Sequence, residues 1–285
     1  MAAKAIFFLM TLALVAGTAT AQQTPAVPDA SSIYCSGVVT TERVPQDTYL
    51  ITGEQSASET VFSSPDVVYI NKGASQGVKV GDEFLVSRPV QEPLEFPWFT
   101  WQPRLVRAMG TMYQDLGRLR VVHVDAKVAT AEILSSCDYM QRGDIVQQAV
   151  DRPAPPLKES SKFDPYAAPS GKAAAMVVET RNFRQAIGKA DVVYVNLGSK
   201  QGVKVGDYFR IFRYQGSRGE TIYQTPGTAY QMYGFGSAPA RYKWNDLPRE
   251  VLGEGIVLRT GPNAATVLVT VSLREIYVGD YVEIE

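Results

Sequence analysis

The chain has one histidine and two cysteines among 285 residues. A single histidine, His123, excludes a zinc site built on several imidazoles, and a Ser-His-Asp triad is not expected from the partners available to it. No Cys-x-x-Cys pair occurs, and a redox or thiol-nucleophile centre is not expected. Phosphate-cradling glycine motifs and the Gly-x-Ser-x-Gly elbow are missing from any strand-to-helix setting; Gly234-Phe235-Gly236-Ser237 lies among aromatic and small residues. Charge of one sign is also lacking. The 28 Lys and Arg against 29 Asp and Glu leave a net charge of −1 with no basic stripe, which argues against nucleic acid and against electrostatic docking on a membrane. After residue 21 no apolar run is long enough for an integral membrane span.

The first 21 residues do contain such a run, but a short one. Lys4 provides a positive start, AIFFLMTLALVAG an apolar stretch, and Ala19-Thr20-Ala21 a small-x-small cleavage site. These features predict a signal peptide over 1–21, a mature start at Gln22 and an exported chain, periplasmic or outer-membrane-associated. Residues 22–32 read as a flexible leader.

The chain repeats itself. DVVYINKGASQGVKVGD (66–82) and DVVYVNLGSKQGVKVGD (191–207) are identical at 13 of 17 positions. LGRLRVVHVDAKVATAEILSSCDYMQRGDIV (116–146) aligns without gaps on LGEGIVLRTGPNAATVLVTVSLREIYVGDYV (252–282). Such an echo marks duplicated structural units. Upstream, SGVVTTE (36–42) pairs in sequence with AMVVETR (175–181). Between the copies, residues 151–172 hold five prolines and little apolar content, a semi-extended linker by composition. The organisation expected is a β unit over 33–150, a linker over 151–172 and a second β unit over 173–285, the flexible tether allowing both units to engage a target at once.

Within each copy, β signals dominate. Val67-Val68-Tyr69-Ile70 is β-branched and aromatic, and Asn71-Lys72-Gly73 ends it with turn chemistry. Val78 and Val80 alternate with Lys79 and suggest a further short strand with both valines on one face. Helical signal is weak, the best candidate lying around Arg181–Gly188. The fold class expected is all-β: two tandem small antiparallel barrels or sandwiches.

Gly-Asp occurs at Gly81-Asp82, Gly143-Asp144, Gly206-Asp207 and Gly279-Asp280. Metal ligation or acid catalysis is one use of such carboxylates. The better reading is tight turns, glycine supplying a positive φ and aspartate accepting backbone N–H bonds. Gly77 and Gly202 read as turn glycines too. Cys35 and Cys137 lie in the first copy and invite a disulfide in an exported chain, although Cys137 aligns with Leu273 and would also serve as a small buried hydrophobe. His123 aligns with Arg259 and reads as a half-exposed strand residue.

The ordered set Val68-Tyr69-Ile70-Asn71, Gly73, Gly77-Val78-Lys79-Val80-Gly81-Asp82-x-Phe84, Leu116-Gly117 and Gly143-Asp144 recurs as Val193-Tyr194-Val195-Asn196, Gly198, Gly202-Val203-Lys204-Val205-Gly206-Asp207-x-Phe209, Leu252-Gly253 and Gly279-Asp280. It resembles the C-terminal domain of the flagellar assembly protein FlgT and its relatives in exported bacterial proteins. The resemblance covers most of both repeats and implies a non-enzymatic envelope module, without cofactor or metal, that binds other proteins or wall components.

The segments outside the resemblance are rich in rings. Phe96-Pro97-Trp98-Phe99-Thr100-Trp101-Gln102-Pro103 stands in copy one, and Tyr223, Tyr230, Tyr233, Phe235, Tyr242 and Trp244 in copy two. Their prolines and glycines predict irregular loops. Trp98, Phe99, Trp101, Tyr233 and Trp244 are the binding candidates, for an envelope or secreted protein partner or, alternatively, for stacking on carbohydrate or peptidoglycan. The competing reading folds these rings back to cap the β units.

Overall fold

The computed structural model describes residues 26–54, 58–90, 97–158, 164–215 and 248–285, and within them the chain is mostly β. Asp29 opens a short helix, α1 (Ala30–Tyr34), its carboxylate accepting from the Ser32 N–H at 2.7 Å. The expected flexible leader thus runs into an ordered helix start, and Ala26 O accepts from Leu157 N. The first half then forms β1 (Val38–Thr40), β2 (Leu50–Gly53), β3 (Val61–Phe62), β4 (Val67–Ile70), β5 (Glu83–Pro89), a helix α2 (Gln102–Met109), β6 (Thr111–Val124), β7 (Ala129–Ser136), β8 (Met140–Gln141) and β9 (Ile145–Gln148). The second half forms β10 (Ala174–Thr180), β11 (Ala186–Ile187), β12 (Val192–Val195), β13 (Tyr208–Arg213), β14 (Glu250–Thr260), β15 (Ala265–Ser272), β16 (Ile276–Tyr277) and β17 (Tyr281–Ile284). Among the described residues, no helix is long and apolar enough to cross a membrane.

The second half closes into a barrel in the order β10-β12-β15-β14-β13-β17, all antiparallel. The first half follows the same path, β2-β4-β7-β6-β5-β9. Its ends meet in an isolated bridge, Tyr49 to Ile145, supported by Leu50 N to Asp144 O at 2.9 Å. A two-stranded ribbon sits beside each, β3-β8 and β11-β16. Each interior is apolar: Leu50, Ile70, Phe84, Leu116, Leu119 and Ile133 in the first half; Val177, Val195, Phe209, Ile211, Leu252 and Val267 in the second.

Strand register corrects one sequence match. Leu50 pairs with Ile70 as Val177 pairs with Val195, so the counterpart of β10 is β2 and not the segment 36–42. β1 is an addition, paired to the end of β6 through Val38–Tyr113 and Thr40–Thr111. A second expectation fails after Asn71. Instead of a strand carrying Val78 and Val80, a 3-10 turn (Ala74–Gln76, and Ser199–Gln201 in the other half) ends at a glycine with φ of +85°. Val78 N bonds back to Gly73 O rather than to a neighbouring strand, so Val78 is buried while Val80 is exposed. Nor is there a helix at 181–188. Thr180 Oγ1 accepts from Arg184 N at 2.8 Å and donates to Arg184 O, closing a turn that leads into β11.

The connecting segment is irregular, as its prolines dictate, but its described residues touch both halves: Arg152 bonds to Asp115 of β6, and the residues from Leu157 on hold to the second barrel. Leu157 packs on Val192, Ile256, Leu258 and Leu268. Lys158 pairs with Glu254 at 2.8 Å and Glu285 at 2.6 Å. Arg249 donates to Ala167 O at 3.0 Å while forking onto Glu283.

Candidate functional site

The four Gly-Asp pairs form one repeated turn. Gly81, Gly143, Gly206 and Gly279 have φ between +88° and +104°, the left-handed region that glycine adopts without strain. Each aspartate accepts from the backbone N–H three residues earlier: Lys79 for Asp82, Gln141 for Asp144, Lys204 for Asp207 and Tyr277 for Asp280, at 2.6–2.9 Å. The closing pair in each half carries a second task. Arg88 forks onto Asp144 at 2.7 and 2.8 Å, and Arg213 onto Asp280 at 2.7 Å for both bonds. Each guanidinium also lies over a ring, Tyr139 or Tyr277. These carboxylates shape turns and hold strands. His123 is exposed, 3.5 Å from Asp125. Among the described residues, no three His, Cys, Asp or Glu side chains gather as metal ligands.

The ring-rich segment of the first half is not a loop throughout. Pro103 falls in the first turn of α2, where its missing N–H costs nothing, and Gly110 ends the helix at φ +111° against the Thr40 carbonyl. Leu105, Val106 and Met109 face β10 and β1, meeting Val39, Val178, Tyr194 and Ala264. Phe99 is 6 % exposed and inserts into the core cluster of the second barrel, with Trp98 packed beside it. The expectation that Phe99 serves a ligand is therefore corrected: burying its ring joins the halves. Gln102, fully buried, accepts from Trp98 N at 2.7 Å and donates to Val178 O at 2.8 Å. Among the described rings of this segment, Trp101 projects, at 62 % exposure. Tyr233 and Trp244 lie outside the described residues.

A strap completes the junction. Cys35, just after α1, is disulfide-bonded to Cys137, just after β7, with Cα atoms 5.4 Å apart. The carbonyls that follow are taken by the second half: Arg181 donates to Cys35 O, Tyr194 Oη to Ser36 O at 2.9 Å, and Thr266 to Gly37 O. Full burial pushes the Tyr194 phenol above its ordinary value and keeps it a donor. On the other side of the strap, Gly37 N donates to Asp115 at 2.8 Å.

Asp115 is the centre of a polar cluster on the junction. Arg152, from the connecting segment, forks onto both its oxygens at 2.8 Å, and Arg259 of β14 approaches at 3.4 Å. Burial lowers the Arg259 pKa, with Asp115 opposing. Asp115 and Arg259 line a cleft of about 570 Å³ between the halves. The sequence reading missed Asp115 and Arg152. A signal was present: the aligned copies differ in polarity at otherwise buried positions, Asp115 against Val251 and Ser87 against Phe212. Comparison of the sequence with protein-family models and with curated proteins returned no match.

Proposed function

We propose that the chain is an exported, non-enzymatic cell-envelope protein. In this reading a signal peptide precedes tandem β-barrel domains joined by the Pro-rich segment 151–172, and the pair acts as a protein-interaction and assembly module, as the resemblance to the FlgT C-terminal domain implies. The observation that carries the reading is Trp101. A large amphipathic ring stands exposed at the N-cap of α2, while Phe99 just before it and Gln102 and Met109 of the helix are buried against the second half. An aromatic anchor on a rigid base loses little freedom on binding, which favours contact with a partner. The Cys35–Cys137 bond supports an oxidising, extracytoplasmic setting.

The test places a photo-crosslinking amino acid at Trp101 in the native envelope. One discrete adduct with another envelope protein is expected; self-adducts alone would overturn the reading. The same exposed ring suits stacking on sugar, so the competing carbohydrate reading is tested by pelleting with purified peptidoglycan. Depletion of the wild type but not of Trp101→Ala would establish that alternative in its place.

A further inference from the structure

The cleft between the halves has polar machinery that neither the turns nor the junction consumes. Its floor joins Ser87 of β5 and Asp115 of β6, directly opposed across the two strands, to Arg152 and to Arg259 of β14. Asp115 is saturated: Gly37 N and both Arg152 nitrogens reach it at 2.8 Å. Arg259 touches it only through Nη1 at 3.4 Å and makes no other hydrogen bond among the described residues. Two guanidiniums thus share one carboxylate, leaving a positive charge without its own partner and with unused donors. Desolvation makes that charge costly and an added anion favourable. Beside it the Ser87 hydroxyl is buried with no hydrogen-bond partner among the described residues, a costly state for a polar group.

This polarity was not inherited from the repeat. In the second barrel the register position of the Ser87–Asp115 pair holds Phe212 opposite Val251, both buried and apolar. The first-half counterpart of Arg259 is the exposed His123. Where one copy is filled with hydrocarbon, the other keeps a serine and an aspartate side by side on the floor of a cleft that the under-paired Arg259 also lines.

We propose that this cleft binds the carboxylate of a short peptide, with the Arg259 guanidinium forked onto it and the Ser87 hydroxyl donating to it. The planar fork suits a carboxylate. Glu42, Asp115 and Asp151 balance Arg43, Arg152 and Arg259 in the lining, so the attraction for one carboxylate is local to the under-paired Arg259 and a second negative charge finds no surplus cation. Val38, Pro45, Leu85, Val150 and Pro153 offer apolar wall for the neighbouring peptide groups. The inference rests on the interaction-module reading for the source of the peptide, and on the cleft for its chemistry.

Calorimetric titration of the mature protein with three probes tests it: acetyl-Ala-Ala with a free terminal carboxylate, its C-terminal amide, and acetyl-Glu-amide with only a side-chain carboxylate. At least one carboxylate probe should bind about tenfold or more tighter than the amide, and which one identifies the terminal or side-chain source. Arg259→Gln should abolish that preference; Arg152 remains forked on Asp115, so the aspartate is not stranded. Ser87→Ala, which leaves every charge in place, should weaken carboxylate binding several-fold and decides the matter should Arg259→Gln fail to fold. Equal binding of acid and amide, no binding at millimolar concentration, or an unchanged preference in both variants would overturn the proposal. Peptide binding without a Trp101 adduct would overturn only the envelope-partner reading, and an adduct without peptide binding only the cleft.

Discussion

Glu283 shows what a single buried carboxylate contributes. Burial alone would raise its pKa, but the fork from Arg249, the contact with Arg210 and the Ser170 N–H together hold it below the ordinary glutamate value. A depressed folded pKa means that the unfolded chain binds the proton more readily. The stabilisation is therefore complete above the ordinary value of 4.5 and is lost as the pH falls through the folded value. Glu283→Gln leaves the Arg249 guanidinium buried without its counter-charge and should cost about 3–5 kcal/mol at neutral pH. Urea unfolding across a pH series checks both parts: the gap between wild type and variant should narrow on acidification, and a gap that stays constant would exclude the linkage. The geometry of an arginine fork recurs at Arg88–Asp144 and Arg213–Asp280, at turns that lead into the closing strands, where sequence alone predicted only a turn; at Asp280 burial outweighs the fork and raises the pKa.

At the scale of the element, α2 and its approach segment distinguish a packing ring from a projecting one two residues apart. Phe99→Ala removes a ring from the core cluster of the second barrel and should cost about 3–5 kcal/mol. Trp101→Ala removes a larger ring that touches mostly water and should change stability by about 0.5 kcal/mol or less. Chemical denaturation of both variants checks the pair, and a reversed order would mean that the helix docks by its other face. The strand and turn content of each half was legible because its signals are local: β-branched runs, Asn-x-Gly ends and Gly-Asp corners lie within a few residues of the bonds they make. The helix was not, because Pro103 read as a breaker until its position in the first turn was known.

For the whole molecule, the strap decides how the halves act on one another. The Cys35–Cys137 bond closes a loop spanning 102 residues of sequence separation, and in the chain-entropy view such a cross-link stabilises by about 4–5 kcal/mol. The native protein should show no alkylatable thiol before reduction, and the Cys35→Ser, Cys137→Ser double variant should lose stability of that order. Because the same strap carries the Ser36 and Gly37 carbonyls to Tyr194 and Thr266, the loss should reach the second barrel as well. Hydrogen exchange at β12 and β15 reads this out: unchanged protection there would mean that the halves are energetically independent.

Sequence by itself determined the repeat, most of the longer strands and the glycine corners, since hydrophobic alternation and turn chemistry act over a few neighbouring residues. It did not determine what meets across distance. Arg88 reaches Asp144 over 56 residues, Asp115 meets Arg259 over 144, and Phe99 leaves its own copy to complete the core of the other. Those pairings exist only once both sheets have curled and the strap has been drawn between them. Only then does a serine and an aspartate on adjacent strands become the floor of a cleft, and only the tertiary structure could place an arginine of the second barrel above it.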